Sequence, residues 1–166
     1  ETGRIELSMT PYAHPIIPLL LRFEAARETI AQAPLPPGRY PGGEERARWH
    51  IEHGLRVFER ILGVRPIGCW PAEGAIDTRT IELLDSFGFR WAASGGAVWK
   101  NNCHQTGGGA LPIRPIQLRE SGIRCFFRDD TLSDRIGFEY QKWHGDDAVA
   151  NLVHELEQLA RLHHGV

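Results

Sequence analysis

Short apolar runs alternating with stretches of helical spacing limit what this chain can fold into. Residues 4–9, 65–70, 89–94 and 123–127 are brief and apolar in character. The first, Arg4-Ile-Glu-Leu-Ser-Met9, alternates apolar and polar side chains as a half-buried strand does. After the breaks at Pro11 and Pro15, residues 17–32 read as helical. Residues 33–43 hold four prolines and read as a loop. In residues 44–62, Ala47, Ile51, Leu55, Phe58 and Leu62 recur every three or four positions, and Gly63 closes the run. Asp77 is a predicted N-cap for a helix carrying Ile81, Leu84 and Phe87. Residues 95–111, rich in glycine and asparagine, are expected to form a long surface loop. A short helix is expected after Leu132, and a patterned one carries Val149, Leu152, Val153, Leu156 and Leu159. Strand and helix in alternation predict an α/β fold built from parallel βαβ units.

In such folds the reactive side chains gather just past the C-terminal ends of strands. His14, Glu73 and Asp129 each fall at such a point. The most telling stretch is Gly68-Cys-Trp-Pro-Ala-Glu-Gly-Ala-Ile76. It delivers one carboxylate, Glu73, between an aromatic ring and a glycine. The ring of Trp70 offers a face for a pyranose, and Gly74 lets the backbone come close. A second acid-rich run, Phe126-Phe-Arg-Asp-Asp-Thr-Leu-Ser-Asp134, follows another apolar segment. Two strand-end acids can carry out glycosidic chemistry.

Composition removes several other classes. With 166 residues, 42% hydrophobic and 24% charged, the chain has the make-up of one ordinary globular domain. A formal net charge of −2 gives no general attraction to nucleic acid or to an anionic membrane. The longest apolar candidate, Ile16-Ile-Pro-Leu-Leu-Leu21, is far short of a span of ~20 residues. No basic segment followed by an apolar stretch marks an export signal. Cys69, Cys103 and Cys125 are odd in number and form no CxxC pair. They are therefore expected to be buried free thiols in a reducing, cytoplasmic setting.

Three runs, in order, carry a family resemblance over roughly residues 3 to 140. They are Glu6-Leu-Ser-Met-Thr-Pro-Tyr-Ala-His-Pro-Ile-Ile-Pro-Leu-Leu20, Trp70-Pro-Ala-Glu-Gly, and Phe126-Phe-Arg-Asp-Asp-Thr-Leu-Ser-Asp-Arg-Ile-Gly-Phe138. The chain resembles glycoside hydrolase family 57, in its α-amylase and amylopullulanase-like branch. The resemblance implies a retaining enzyme acting on α-glucans, with no cofactor, on a distorted TIM-like barrel of seven βα units. A barrel of that kind takes on the order of 250 residues. The family's opening His-Gln-Pro motif is absent, and His104-Gln-Thr106 in a glycine-rich stretch is no substitute. Residues 1–166 are thus expected to be a single partial catalytic domain, with the first strand starting almost at once. The remainder of the barrel, or self-association, is the expected partner.

The resemblance makes Glu73 the nucleophile and Asp129 the general acid/base. A retaining pair stands only ~5–5.5 Å apart, so the ionised nucleophile should raise the acid's pKa. Without the family, Glu73 also reads as a glutamate at the start of a helix, favoured by the helix dipole. Asp130 and Asp134 are rivals to Asp129, with capping by Ser133 or Asp134 as their structural alternative. Arg128 adjoins the acid, although neighbouring strand residues point to opposite faces. His14 is a candidate to bond a sugar hydroxyl or one of the carboxylates; the alternative is a ring satisfied by backbone groups. Tyr12, Trp70 and Trp99 are candidate sugar-stacking rings, whereas Trp91 reads as packing.

Metal and phosphate chemistry find little support. His50-Ile-Glu-His53 sets two imidazoles on neighbouring turns without a third ligand, and reads as solvated helix. Gly107-Gly-Gly109 lacks the lysine and Ser/Thr of a phosphate loop. Two other readings compete with the glycosidase. One is a non-catalytic glucan-binding or structural piece that keeps the motifs. The other is a metal-dependent carbohydrate deacetylase on a related barrel.

Overall fold

The computed structural model describes residues 4–102, 111–117 and 121–162. Two compact units are present, one ending at Phe127 and one beginning at Arg128. The first unit is an α/β layer structure. Its elements run β1 (Ser8–Met9), α1 (Ile17–Leu21), α2 (Ala26–Thr29), α3 (Gly43–Leu62), β2 (Gly68–Cys69) and α4 (Thr78–Ser86). They continue with β3 (Trp91–Gly95), α5 (Gly96–Asn102), β4 (Ile116–Gln117) and β5 (Arg124–Arg128). The sheet order is β1-β2-β3-β5-β4. β1 pairs with β2, and β2 with β3, in parallel: Met9 faces Cys69, and Cys69 faces Ala92. β4 runs antiparallel to β5, with Ile116 opposite Cys125.

The parallel core was legible from the alternation, but three local expectations need correction. The expected helix over residues 17–32 is broken at Arg22, whose backbone is extended (φ −162°, ψ 135°). That break lets the Arg22 Nε donate to Asp77 Oδ2 at 2.8 Å, 55 residues away in sequence, a contact that local spacing cannot reveal. The expected loop over 95–111 begins instead as α5, because Gly96 is buried and Val98 packs against the core; residues 103–110 lie outside the described residues. The expected strand over residues 4–9 is paired only at Ser8 and Met9.

α3 is the main helical wall. Ala47, Ile51, Gly54 and Leu55 are buried on one stripe, and Gly54 admits the Met9 side chain of β1 so closely that a Cβ would lie 2.7 Å from it. Gly63 ends the helix in the left-handed region at φ 70°, its N–H donating to the Glu59 carbonyl at 2.9 Å. Asp77 caps α4 as expected: its Oδ1 accepts from Thr80 N at 2.8 Å and from Thr80 Oγ1 at 2.6 Å.

Cys69 and Cys125 are buried free thiols. Burial pushes Cys69 up to about 12 and Cys125 up to about 11, from an ordinary 9.0. Both should therefore resist a thiol reagent in the native protein at pH 8 and react only on unfolding. Peptide mass mapping after brief labelling checks this; prompt modification of either cysteine would show an open core.

The second unit holds α6 (Asp130–Asp134) and α7 (Gly145–Leu162), joined by a wide turn at Arg135–Glu139 and a tight one at Tyr140–Lys142. Arg135 pairs with Glu155, and the Tyr140 hydroxyl donates to Asn151 Oδ1 at 2.9 Å. Apolar Val149, Val153 and Leu156 of α7 are exposed.

Candidate functional site

Past the ends of β1 and β2 the chain makes two strained turns. In the first, His14 N donates to Pro11 O at 3.1 Å, with Ala13 at φ 58° and His14 at φ 56°. In the second, Gly74 N donates to Pro71 O at 2.9 Å, with Glu73 at φ 56°. Among the described residues these three are the non-glycine positions with positive φ. Left-handed backbone costs a residue with a Cβ about 1–2 kcal/mol, so it persists only where surrounding contacts enforce it. The two turns meet: His14 Nε2 donates to Glu73 Oε1 at 2.9 Å. A donor at Nε2 fixes the tautomer of a neutral ring, and leaves Glu73 Oε2 for other chemistry. The Glu73 side chain is 74% exposed. A strand-end carboxylate, oriented by an imidazole and open to solvent, can act as a nucleophile or bind a polyhydroxylated ligand.

The expectation that Gly74 frees space for a sugar needs correction. Gly74 sits at φ 66°, and a Cβ there would lie 3.2 Å from Gly95 N at the end of β3. Its carbonyl accepts from the buried Ser94 hydroxyl at 2.6 Å. Gly74 therefore lets the turn close on β3, which holds Glu73 in place. Nor does Glu73 start a helix; the α4 cap is Asp77. Ser94 was not foreseen, although a hydroxyl closing the apolar run Trp91-Ala-Ala-Ser94 was a signal.

Trp70 is half-buried, its N–H donating to Met9 O at 2.9 Å and its carbonyl accepting from Thr10 Oγ1 at 2.9 Å. Tyr12 turns its ring onto α3, edge-on to His53 at 4.3 Å and to Trp49 at 5.8 Å. Trp91 packs edge-on to Phe126 and donates through Nε1 to Glu6. Trp99 is on α5, not in a loop. It tilts against Phe127 at 5.2 Å and lines a cleft of about 240 Å³ whose lining does not include His14 or Glu73.

In the second unit, Asp129 caps α6, its Oδ1 accepting from Leu132 N at 3.0 Å. Capping thus falls to Asp129, not to Ser133 or Asp134, because the helix starts at Asp130. Arg128 Nε donates to Asp130 Oδ1 at 2.9 Å, so each of the two neighbouring carboxylates has a partner of its own. Asp134 is the last residue of α6.

His50 and His53 do not sit on a bare solvated face. His50 Nδ1 donates to the Tyr12 carbonyl at 2.7 Å, and His53 stacks on Trp49 at 4.9 Å and 12°. Among the described residues no three His, Cys, Asp or Glu side chains come together to hold a metal.

The model of glycosyl hydrolase family 57 matches residues 1–165. No curated protein sequence matches. A GH57-type branching enzyme from the hyperthermophilic archaeon Pyrococcus horikoshii superposes with a TM-score of 0.55 at 19% identity, over 83% of this chain and 24% of that one. A GH57 branching enzyme from Thermococcus kodakaraensis gives a TM-score of 0.47 at 20% identity, over 81% of this chain and 25% of that one. The chain spans about a quarter of the length of these solved structures, and the first likeness shows a shared fold.

Proposed function

The chain belongs to glycosyl hydrolase family 57, and from that premise we propose that it supplies the carboxylate chemistry of an enzyme that cleaves or transfers α-glucan chains. The observation that carries the reading is the contact from His14 Nε2 to Glu73 Oε1, held by left-handed backbone at both residues. Such backbone concentrates where a fold trades local stability for a fixed side-chain direction.

In this reading Glu73 Oε2 attacks the anomeric carbon as the glycosidic C–O bond breaks, and the departing oxygen takes a proton from Asp129. A glycosyl ester on Glu73 results. Water, or the hydroxyl of a second sugar, then gives its proton to Asp129, attacks the anomeric carbon and releases Glu73. His14 holds one carboxylate oxygen so that the other faces the sugar. Trp70 is the proposed ring platform; Tyr12, whose ring lies on α3 against His53 and Trp49, is a further proposed contact. Trp99, Arg128, Asp130 and Asp134 are further proposed substrate contacts.

The test is covalent trapping. The intact protein is incubated with an activated fluorinated α-glucoside that slows the second step, then digested and weighed. The expected result is one added sugar on the peptide containing Glu73; a label on another acid would refute the assignment. In parallel, Asp129→Asn should lose about 10²–10⁴-fold on glucan but much less on activated aryl glycosides, whose leaving groups need no proton. Azide should restore part of its turnover by replacing the activated water. Equal losses on both substrates would remove Asp129 from the acid role.

A further inference from the structure

Tyr12, the residue before the strained Ala13 and His14, is gripped by a single residue of α3. Its N–H donates to the His50 carbonyl at 3.1 Å, and its own carbonyl accepts from His50 Nδ1 at 2.7 Å. Both main-chain groups of Tyr12 are thus satisfied by His50, 38 positions further along the chain. The Tyr12 ring is held on the same helix, by His53 and Trp49. Trp49 also stands edge-on to His50 at 5.0 Å, which restrains the imidazole. A helix wall therefore fixes the chain one residue before it turns left-handed, and two residues before the side chain that meets Glu73.

We propose that His50 is a positioning residue, which clamps Tyr12 and thereby aims His14 at Glu73. The two left-handed residues cannot be kept by their own preferences, since Ala and His favour right-handed or extended backbone. The Pro11–His14 bond closes the turn but does not anchor it to the fold; the His50 clamp does. Without the Nδ1 donor, the Tyr12 carbonyl turns to water, the turn relaxes, and His14 swings away from the carboxylate. The inference deepens the glycosidase reading and rests on it for its catalytic consequence, but the aiming itself can be measured without turnover.

Three substitutions separate aiming from mere support. Asparagine places its amide nitrogen near the position of Nδ1, glutamine carries its amide one carbon further, and leucine has no donor. Nitrogen-15 spectra of the His14 ring, at a pH where imidazoles are neutral, report whether the proton is held on Nε2. His50→Asn should keep the wild-type His14 signals, while His50→Gln and His50→Leu should show the mixed tautomers of a free ring. On glucan, kcat should fall about a hundredfold for the glutamine and leucine variants with KM little changed, as a displacement of ~1 Å would produce, and asparagine should recover most of it. Unchanged His14 signals in His50→Leu would overturn the proposal. Identical signals in the asparagine and glutamine variants would overturn it too, and that comparison survives if leucine fails to fold. Should the wild type show no turnover on glucan, the glycosidase reading fails while the nitrogen-15 comparison still decides the clamp.

Discussion

Glu73→Gln is expected to lower kcat on α-glucans by about 10⁴-fold, a rise of roughly 5–6 kcal/mol in the barrier. An amide oxygen is a poor nucleophile, so the covalent step is lost. The substitution is otherwise mild. The glutamine oxygen can still accept from His14 Nε2, the side chain is mostly exposed, and the left-handed turn keeps its length. Thermal unfolding should accordingly move by less than a degree or two, since exposed substitutions are worth about 0.5 kcal/mol or less. Steady-state kinetics on amylose and pullulan, with a melting curve alongside, check both halves. Turnover within tenfold of wild type would move the nucleophile elsewhere.

Asp77→Ala is expected to destabilise the first unit by about 2–3 kcal/mol with no direct effect on chemistry. Asp77 is only 4% exposed, and its two oxygens serve three donors: Thr80 N, Thr80 Oγ1 and Arg22 Nε. Alanine removes the cap of α4, a loss of about 1 kcal/mol in itself, and takes one acceptor from the part-buried Arg22 guanidinium and another from the buried Thr80 hydroxyl. It also leaves Arg22, whose extended backbone separates α1 from the helical turn that follows, with Glu28 as its remaining acidic partner. Urea denaturation followed by circular dichroism gives the number. A loss below ~1 kcal/mol would mean that water satisfies Arg22 and Thr80 as well as the carboxylate does.

What could be read in the sequence was what depends on near neighbours. The stripe of α3, its closure at Gly63 and the capping of α4 by Asp77 are set within a few residues, and each stands where periodicity and capping rules put it. The break at Arg22 was hidden because its cause lies at Asp77. β4 was missed because two residues carry no periodicity, and its partner strand supplies the order. α5 was masked by Gly95 and Gly96, which read as breakers, although Gly95 ends β3 and Gly96 is buried at the start of the helix. At the candidate site, the strand-end rule located His14 and Glu73, and it could not foretell their contact. That contact needs three residues in a backbone region their side chains disfavour, and only the assembled fold enforces it. Asp129 follows directly on β5, and its capping of α6 depends on the helix starting one residue later.

The left-handed trio also bears on how this chain could be engineered. A redesign guided by stability alone would choose positions 13, 14 and 73 first, since glycine there would relieve the local backbone cost. Two of the three carry the imidazole–carboxylate contact, so the most attractive stabilising changes are the ones that would erase it. Ala13 alone could be exchanged without losing a polar group, and even there glycine would widen the range of directions open to His14. Robustness is better sought away from these turns, for example on the exposed apolar face of α7.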